Sequence, residues 1–275
     1  TPQDVAMYSS TCRGDCGAAT QTLYVTTDGG KTWALASSDD SGEAGAVFGW
    51  VGATLFANGA PAVTPHAAQQ FLAKSTNGGP YSWTTLPAAP GQILTSGTTL
   101  YVVTGSQTSC AAPGFCSDLW TSPDLGATWS HLTPTYQGNN LRVEAVASGT
   151  GTLFAYDTRA YAGPGAYPLY RSADGGRTWQ QLPAIADTSL ADTDALAAPD
   201  GTLYVTYVSV GAGDSRPAGI YKLAPGASAW HLVSPVVPAQ IHAIAIQSDA
   251  AGHPAALWGL VFSDRSLGGA WSHPA

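Results

Sequence analysis

A tryptophan at near-constant spacing constrains this chain more than anything else in it. Trp33, Trp83, Trp129, Trp179, Trp230 and Trp271 follow one another at intervals of 50, 46, 50, 51 and 41 residues. Each closes a copy of one pattern, clearest in LYRSADGGRTWQQL, where Ser172, Asp174, Gly176, Thr178 and Trp179 spell Ser-x-Asp-x-Gly-x-Thr-Trp. Thr26, Asp28, Gly30, Thr32 and Trp33 repeat it near the start, and Ser122, Asp124, Gly126, Thr128 and Trp129 in the middle. A looser copy runs from Ser75 through Asn77 and Gly79 to Trp83 with one residue inserted, and two eroded copies span Leu223 to Trp230 and Asp264 to Trp271. A period of roughly 40 to 50 residues reads as a propeller or a solenoid, because one such unit cannot bury its apolar face alone.

Between the tryptophans the same order of short β-type runs recurs. VEAVAS (143–148), GTLFAYD (151–157), PLYRS (168–172) and TWQQL (178–182) alternate apolar and polar residues, with Gly, Pro, Asn and Asp at the junctions. That is the signal of four strands joined by turns. The N-terminal piece offers only VAMYSS, TLYVTT and TWALA, and therefore lacks a first strand. At the other end IHAIAIQ looks like a first strand, followed by AALWGLVFSD and a shortened last copy of the pattern. The expectation is an all-β chain, a single β-propeller domain over residues 1–275 with four-stranded antiparallel blades. Six blades are favoured, with the C-terminal runs forming a compressed last blade; five result if IHAIAIQ completes the N-terminal one. Dividing the chain length by an average domain size would suggest two domains, which the repeat overrules. The first residues read as a mature or trimmed end, and AWSHPA resembles the start of a purification tag.

The repeated pattern sits where the third strand turns into the fourth, and its chemistry suits a turn. An Asp carboxylate accepts hydrogen bonds from nearby backbone N–H groups, Gly supplies positive φ, and Ser or Thr adds a local bond. The tryptophan then starts the outer strand and can bury its ring between neighbouring sheets. Turn residues are therefore the reading of Asp28, Asn77, Asp124 and Asp174, with Trp33, Trp83, Trp129 and Trp179 as packing residues. The pattern resembles the Asp-box, or bacterial neuraminidase repeat, over nearly the whole chain. The resemblance implies a propeller of the kind found in sialidases, sortilin-type receptors, xyloglucanases and photosystem II assembly factors. It speaks to architecture far more than to activity.

Charge excludes some partners. Eighteen acids against 10 bases leave a net −8 with no run of Lys or Arg, so a phosphate backbone would be repelled and nucleic acid is not expected. No apolar run approaches the roughly 20 residues of a membrane-spanning helix, so no membrane insertion is expected. The cysteines form two close pairs, Cys12 with Cys16 and Cys110 with Cys116, which read as two local disulfides. A four-Cys zinc site is the competing reading, but the spacings lack the C-x-x-C of zinc ribbons. Disulfides place the chain in an extracellular or cell-surface setting. The expectation includes no metal, no cofactor and a monomer.

In a four-stranded blade the first-to-second and third-to-fourth turns share one end. The second-to-third loops and the blade connections share the other. The longer, chemically richer loops at 9–21, 58–69, 105–117, 157–167 and 209–218 fall at that second end, where function is expected over a rigid scaffold. The densest cluster is Asp157, Arg159, Tyr161 and Tyr167, with Tyr136, Asn139, Asn140 and Arg142 on the preceding connection and Asp214 and Arg216 one repeat on. Aromatic faces with Asp, Asn and Arg suit a sugar or a peptide.

A sialidase resemblance implies three arginines on a carboxylate, a Tyr nucleophile assisted by Glu, and an Asp acid/base. Arg142, Arg159 and Arg216 could supply the arginines and Tyr136, Tyr161 or Tyr207 the nucleophile. Only Glu43 and Glu144 are available as glutamates, and no Arg-Ile-Pro precedes the first box. The leading expectation is accordingly a non-catalytic, secreted module binding an extracellular glycan or protein. A sialidase-like glycoside hydrolase is the alternative, and an assembly-factor propeller the third reading.

Overall fold

The structure, a computed structural model, describes residues 5–12, 19–26, 31–39, 48–51, 54–59, 71–76, 82–86, 90–106, 116–157, 168–183, 195–207, 219–234, 241–248, 254–263 and 266–274. Every one of the described elements is a β-strand. The chain divides into two compact units, Thr1–Ser106 with Asp118–His131, and Gln107–Ser117 with Leu132–Ala275.

In the first unit, β1 (Val5–Cys12), β2 (Ala19–Thr26) and β3 (Ala34–Asp39) make a three-stranded sheet in that order. Strands β4 (Phe48–Val51), β5 (Thr54–Gly59), β6 (Phe71–Thr76) and β7 (Ser82–Thr85) make a second sheet, again in sequence order. A third holds β8 (Pro90–Ser96), β9 (Thr99–Ser106), β10 (Cys116–Ser122) and β11 (Ser130–Leu132). Its core is an apolar layer in which Val51, Phe56, Leu72 and Leu86 of the second repeat meet Ile93, Leu100 and Val102 of the third, with Trp120, Leu125 and Trp129 packed against them.

The second unit begins with a five-stranded sheet, β12 (Thr135–Tyr136), β13 (Asn139–Val146), β14 (Leu153–Asp157), β15 (Leu169–Ser172) and β16 (Gln180–Gln181). Next come β17 (Ala195–Ala197), β18 (Leu203–Tyr207), β19 (Gly219–Leu223) and β20 (His231–Ser234). The last sheet has β21 (Ile241–Ser248), β22 (Pro254–Ser263) and β23 (Ser266–Pro274). Ala145, Phe154, Leu169 and Leu182 of one sheet pack on Leu203, Val205 and Leu223 of the next. Burying each such Leu or Phe contributes about 1.5–3 kcal/mol, and the stacked faces explain why β14 is buried almost throughout rather than alternating. Contact is close at the turns as well. A Cβ on Gly149 would fall 2.5 Å from the Pro199 carbonyl oxygen, so only glycine fits between the turns of these two sheets.

The described residues form six antiparallel sheets, each with its strands in sequence order, as the blades of a β-propeller are built. The strand limits differ from the sequence expectation in two instructive places. Strand β13 starts at Asn139 rather than 143, because a tight turn at Gln137 and Gly138 folds the preceding residues back on it. Strand β16 covers only Gln180–Gln181, because Thr178 is still bound to the Asp174 carboxylate.

The Ser-x-Asp-x-Gly-x-Thr-Trp turns are closed by side chains. In the copy after β15, the Ser172 hydroxyl donates to Asp174 Oδ1 (2.8 Å) and accepts from Gly176 N–H (2.8 Å). Asp174 Oδ1 accepts from the N–H groups of Arg177 (3.1 Å) and Thr178 (2.9 Å), and Oδ2 from the Thr178 hydroxyl (2.6 Å). The Trp179 indole donates back to the Gly176 carbonyl at 2.9 Å. The copy after β10 repeats this through Ser122, Asp124, Gly126, Thr128 and Trp129. Bonds from the Thr128 hydroxyl and N–H favour the ionised carboxylate and push the Asp124 pKa down to about 2, and the same donors at Thr178 push Asp174 down as well. Gly126 and Gly176 take positive φ of 86° and 91°, as turn chemistry requires. Leu125 takes the same left-handed region at φ 57° and packs on the core of its unit.

The eroded copies behave differently from the intact ones and from each other. At 223–230 a backbone bond from Ala227 N–H to the Ala224 carbonyl (3.0 Å) closes the turn, and the Trp230 indole donates instead to the Pro183 carbonyl of the preceding sheet (2.8 Å). Trp271 lies inside β23 opposite Gly259, five residues into the strand rather than at its start. Asp28 and Asn77 lie outside the described residues, as do Cys16 and Cys110. Cys12 ends β1 and Cys116 begins β10.

Candidate functional site

In the five-stranded sheet, the turns at 147–152 and 173–179 share one end. The end of β14, the start of β15 and the hairpin before β13 share the other. The chain reaches that second end as TYQGNN. Thr135 pairs with Asn140 and Tyr136 with Asn139, around a two-residue turn with φ of 50° at Gln137 and 79° at Gly138. Two successive positive φ values are the signature of a hairpin turn whose twist matches its strands. Leu141 N–H donates to the Pro134 carbonyl (2.9 Å) and closes the base of the hairpin.

The hairpin sets its side chains against the sheet. The Tyr136 ring packs on the buried Tyr170 ring of β15, centroids 4.8 Å apart at 45°. Gln137 Nε2 donates to the Tyr136 hydroxyl at 3.4 Å. Asn139 Nδ2 donates to Asp157 Oδ2 at 3.0 Å, and Asp157 is only 6% exposed. Arg142 Nε pairs with Glu144 Oε1 at 2.8 Å, with the arginine side chain 41% and the glutamate 22% exposed.

Five of the residues singled out from sequence, Tyr136, Asn139, Asn140, Arg142 and Asp157, thus share one end of one sheet. Arg159, Tyr161, Tyr167, Asp214 and Arg216 lie outside the described residues. Three participants were missed or underrated. Tyr170 was read only as a strand residue, Gln137 as part of a connection, and Glu144 as an isolated glutamate. Gly138 is the one usual hairpin residue in that turn, and Gln137 before it is not the customary cue. Arg171 and Arg177 belong to the opposite end, where Arg171 donates twice to Gln180 Oε1 (3.0 and 2.8 Å) and Arg177 to the Asp174 carbonyl (3.0 Å).

A second cluster lies on the outer strands of the third sheet. His131 Nε2 stands 3.4 Å from Asp118 Oδ1, and its ring lies 4.4 Å from that of Trp120. Among the described residues no three His, Cys, Asp or Glu side chains gather as metal ligands would. No helix among them is long and apolar enough to cross a membrane.

No family model matches the chain. A xyloglucanase from Paenibacillus sp is 33% identical over 136 residues, covering 43% of this chain and 13% of the xyloglucanase. Solved structures of the same fold include YCF48 bound to D1 peptide, at 16% identity and TM-score 0.57, covering 94% of this chain and 79% of that one. An ancestral GH74 enzyme is similar at 12% identity and TM-score 0.53, over 91% of this chain and 37% of the enzyme. The propeller domain of the Trilobed protease from Pyrococcus furiosus, described as having an open velcro topology, is similar at 9% identity and TM-score 0.60, over 97% of this chain and 75% of that one. The chain is a β-propeller. At these identities the structural likeness concerns the fold alone.

Proposed function

We propose that this chain is a secreted or cell-surface Asp-box β-propeller, a single domain of six blades, that binds a glycan or protein through the loop end and does not catalyse. The observation that supports it is the state of the charged groups there. Arg142 is paired with Glu144 and the buried Asp157 accepts from Asn139, contacts that favour a structural use of these charges. Aromatic and amide groups remain, which suit recognition. The two close cysteine pairs support disulfides and an extracellular setting. A peptide ligand has a precedent in a propeller of the same fold, YCF48 bound to D1 peptide.

The reading is tested by incubating the protein with fluorogenic sialosides, other glycosides and xyloglucan, alongside a glycan array and partner pull-down. Binding without turnover is expected. Turnover that disappears on changing Arg142, Arg159 or Arg216 would sink it in favour of a glycoside hydrolase. That second reading has its own support in the stretch shared with a xyloglucanase.

A further inference from the structure

Resting on the binding-module reading, we propose that the hairpin at 135–140 is the gripping element of the loop end and that its ligand is an uncharged glycan. Tyr136 is the platform. Tyr170 packs against its ring at a tilt of 45°, and Gln137 stands within 3.4 Å of its hydroxyl, which restricts the ring before any ligand arrives. A pre-ordered aromatic face packs on the C–H surface of a sugar ring with little further loss of freedom.

The group beside the ring matches a sugar hydroxyl. Gln137 is exposed, and its amide both donates and accepts, as a hydroxyl does, while Asn139, on the same face as Tyr136, is turned to Asp157. Gln137 also occupies a φ of 50°, where glycine or asparagine would be less strained. A non-glycine residue kept in that region points to its side chain as the reason.

Charge decides against an anionic ligand. Arg142, the described arginine nearest the hairpin in sequence, is paired with Glu144 at 2.8 Å, and the whole chain carries a net −8. A carboxylate or sulfate sugar would meet the net negative charge of the chain, and Arg142 lies on the opposite face of β13 from Asn139 and its partner Tyr136.

The test is affinity electrophoresis of the intact protein in gels containing xyloglucan, galactomannan or mixed-linkage β-glucan, and in parallel gels containing polygalacturonate or chondroitin sulfate. Retardation by at least one neutral polymer and by neither anionic one is expected. Tyr136→Ala should weaken it about tenfold or more, and Tyr136→Phe, which keeps the ring, by no more than about threefold. Gln137→Gly suits the turn better than glutamine does, so it should fold at least as stably while binding several-fold more weakly. A glycan bound equally well by Tyr136→Ala and Gln137→Gly overturns the hairpin as the gripping element and leaves the binding-module reading standing. Retardation only by the anionic polymers, capture only of basic peptides on an array, or no retardation by any polymer overturns the uncharged glycan. Turnover would strike the functional reading itself.

Discussion

The turns at 172–179 and 223–230 close adjacent sheets of one unit at the same sequence spacing, by different chemistry. In the first, Ser172 and Asp174 satisfy the backbone of their own turn and Trp179 bonds within it. In the second, Leu223 and Pro225 stand at the serine and aspartate positions and Ala227 and Ala229 at those of the glycine and threonine. A backbone bond and a positive φ of 76° at Gly226 keep the chain reversal, while the indole of Trp230 turns outward to the neighbouring sheet. A turn can therefore lose its whole polar network and keep its shape. What it loses is self-sufficiency.

The largest expected effect is on the two tryptophans. Trp179 is buried at 9% exposure, so Trp179→Ala should cost about 3–5 kcal/mol in urea denaturation. The half-buried Trp230 should cost about half as much on truncation, and equal losses would mean that the indole's destination does not matter. Next come the serines. Ser172→Ala strips the partner from the buried Gly176 N–H and should cost about 1–3 kcal/mol, whereas the exposed Ser228→Ala should stay within about 0.5 kcal/mol.

The smallest effect is acid sensitivity. A carboxylate whose folded pKa lies below its unfolded value contributes its full stabilisation above the unfolded pKa, near 3.8, and loses it as pH falls through the folded value, about 2 for Asp124. Amide exchange protection at Thr128 should accordingly fall between about pH 4 and 2, and protection at Thr178, whose acceptor Asp174 is held lower still, should persist to lower pH. Protection at Ala227, whose acceptor is a backbone carbonyl, should stay flat across that range. Parallel loss at all three amides would erase the distinction between the turns.

The fold was legible because its signals are local. The aspartate, glycine and tryptophan act within eight residues of one another, so their spacing carries the turn and its order carries the sheet. The same locality misled at Trp271, where the period supplied a tryptophan that sits well inside a strand. The candidate site was half legible. Arg142, Tyr136 and Asp157 stood out by type, and Arg142 and Glu144, two apart on a strand, fall on one face by simple alternation. The Tyr136–Tyr170 contact was not readable, because it joins different strands through a hairpin whose turn uses glutamine where asparagine or glycine is the usual cue.

The bond from Trp230 to Pro183 bears on how such a chain can be copied. A sheet ending in the intact turn carries the closure of that turn with it, whereas the sheet ending at Trp230 draws one bond from a carbonyl of its neighbour. A duplication that copied the second without the first would leave that indole N–H to find another acceptor.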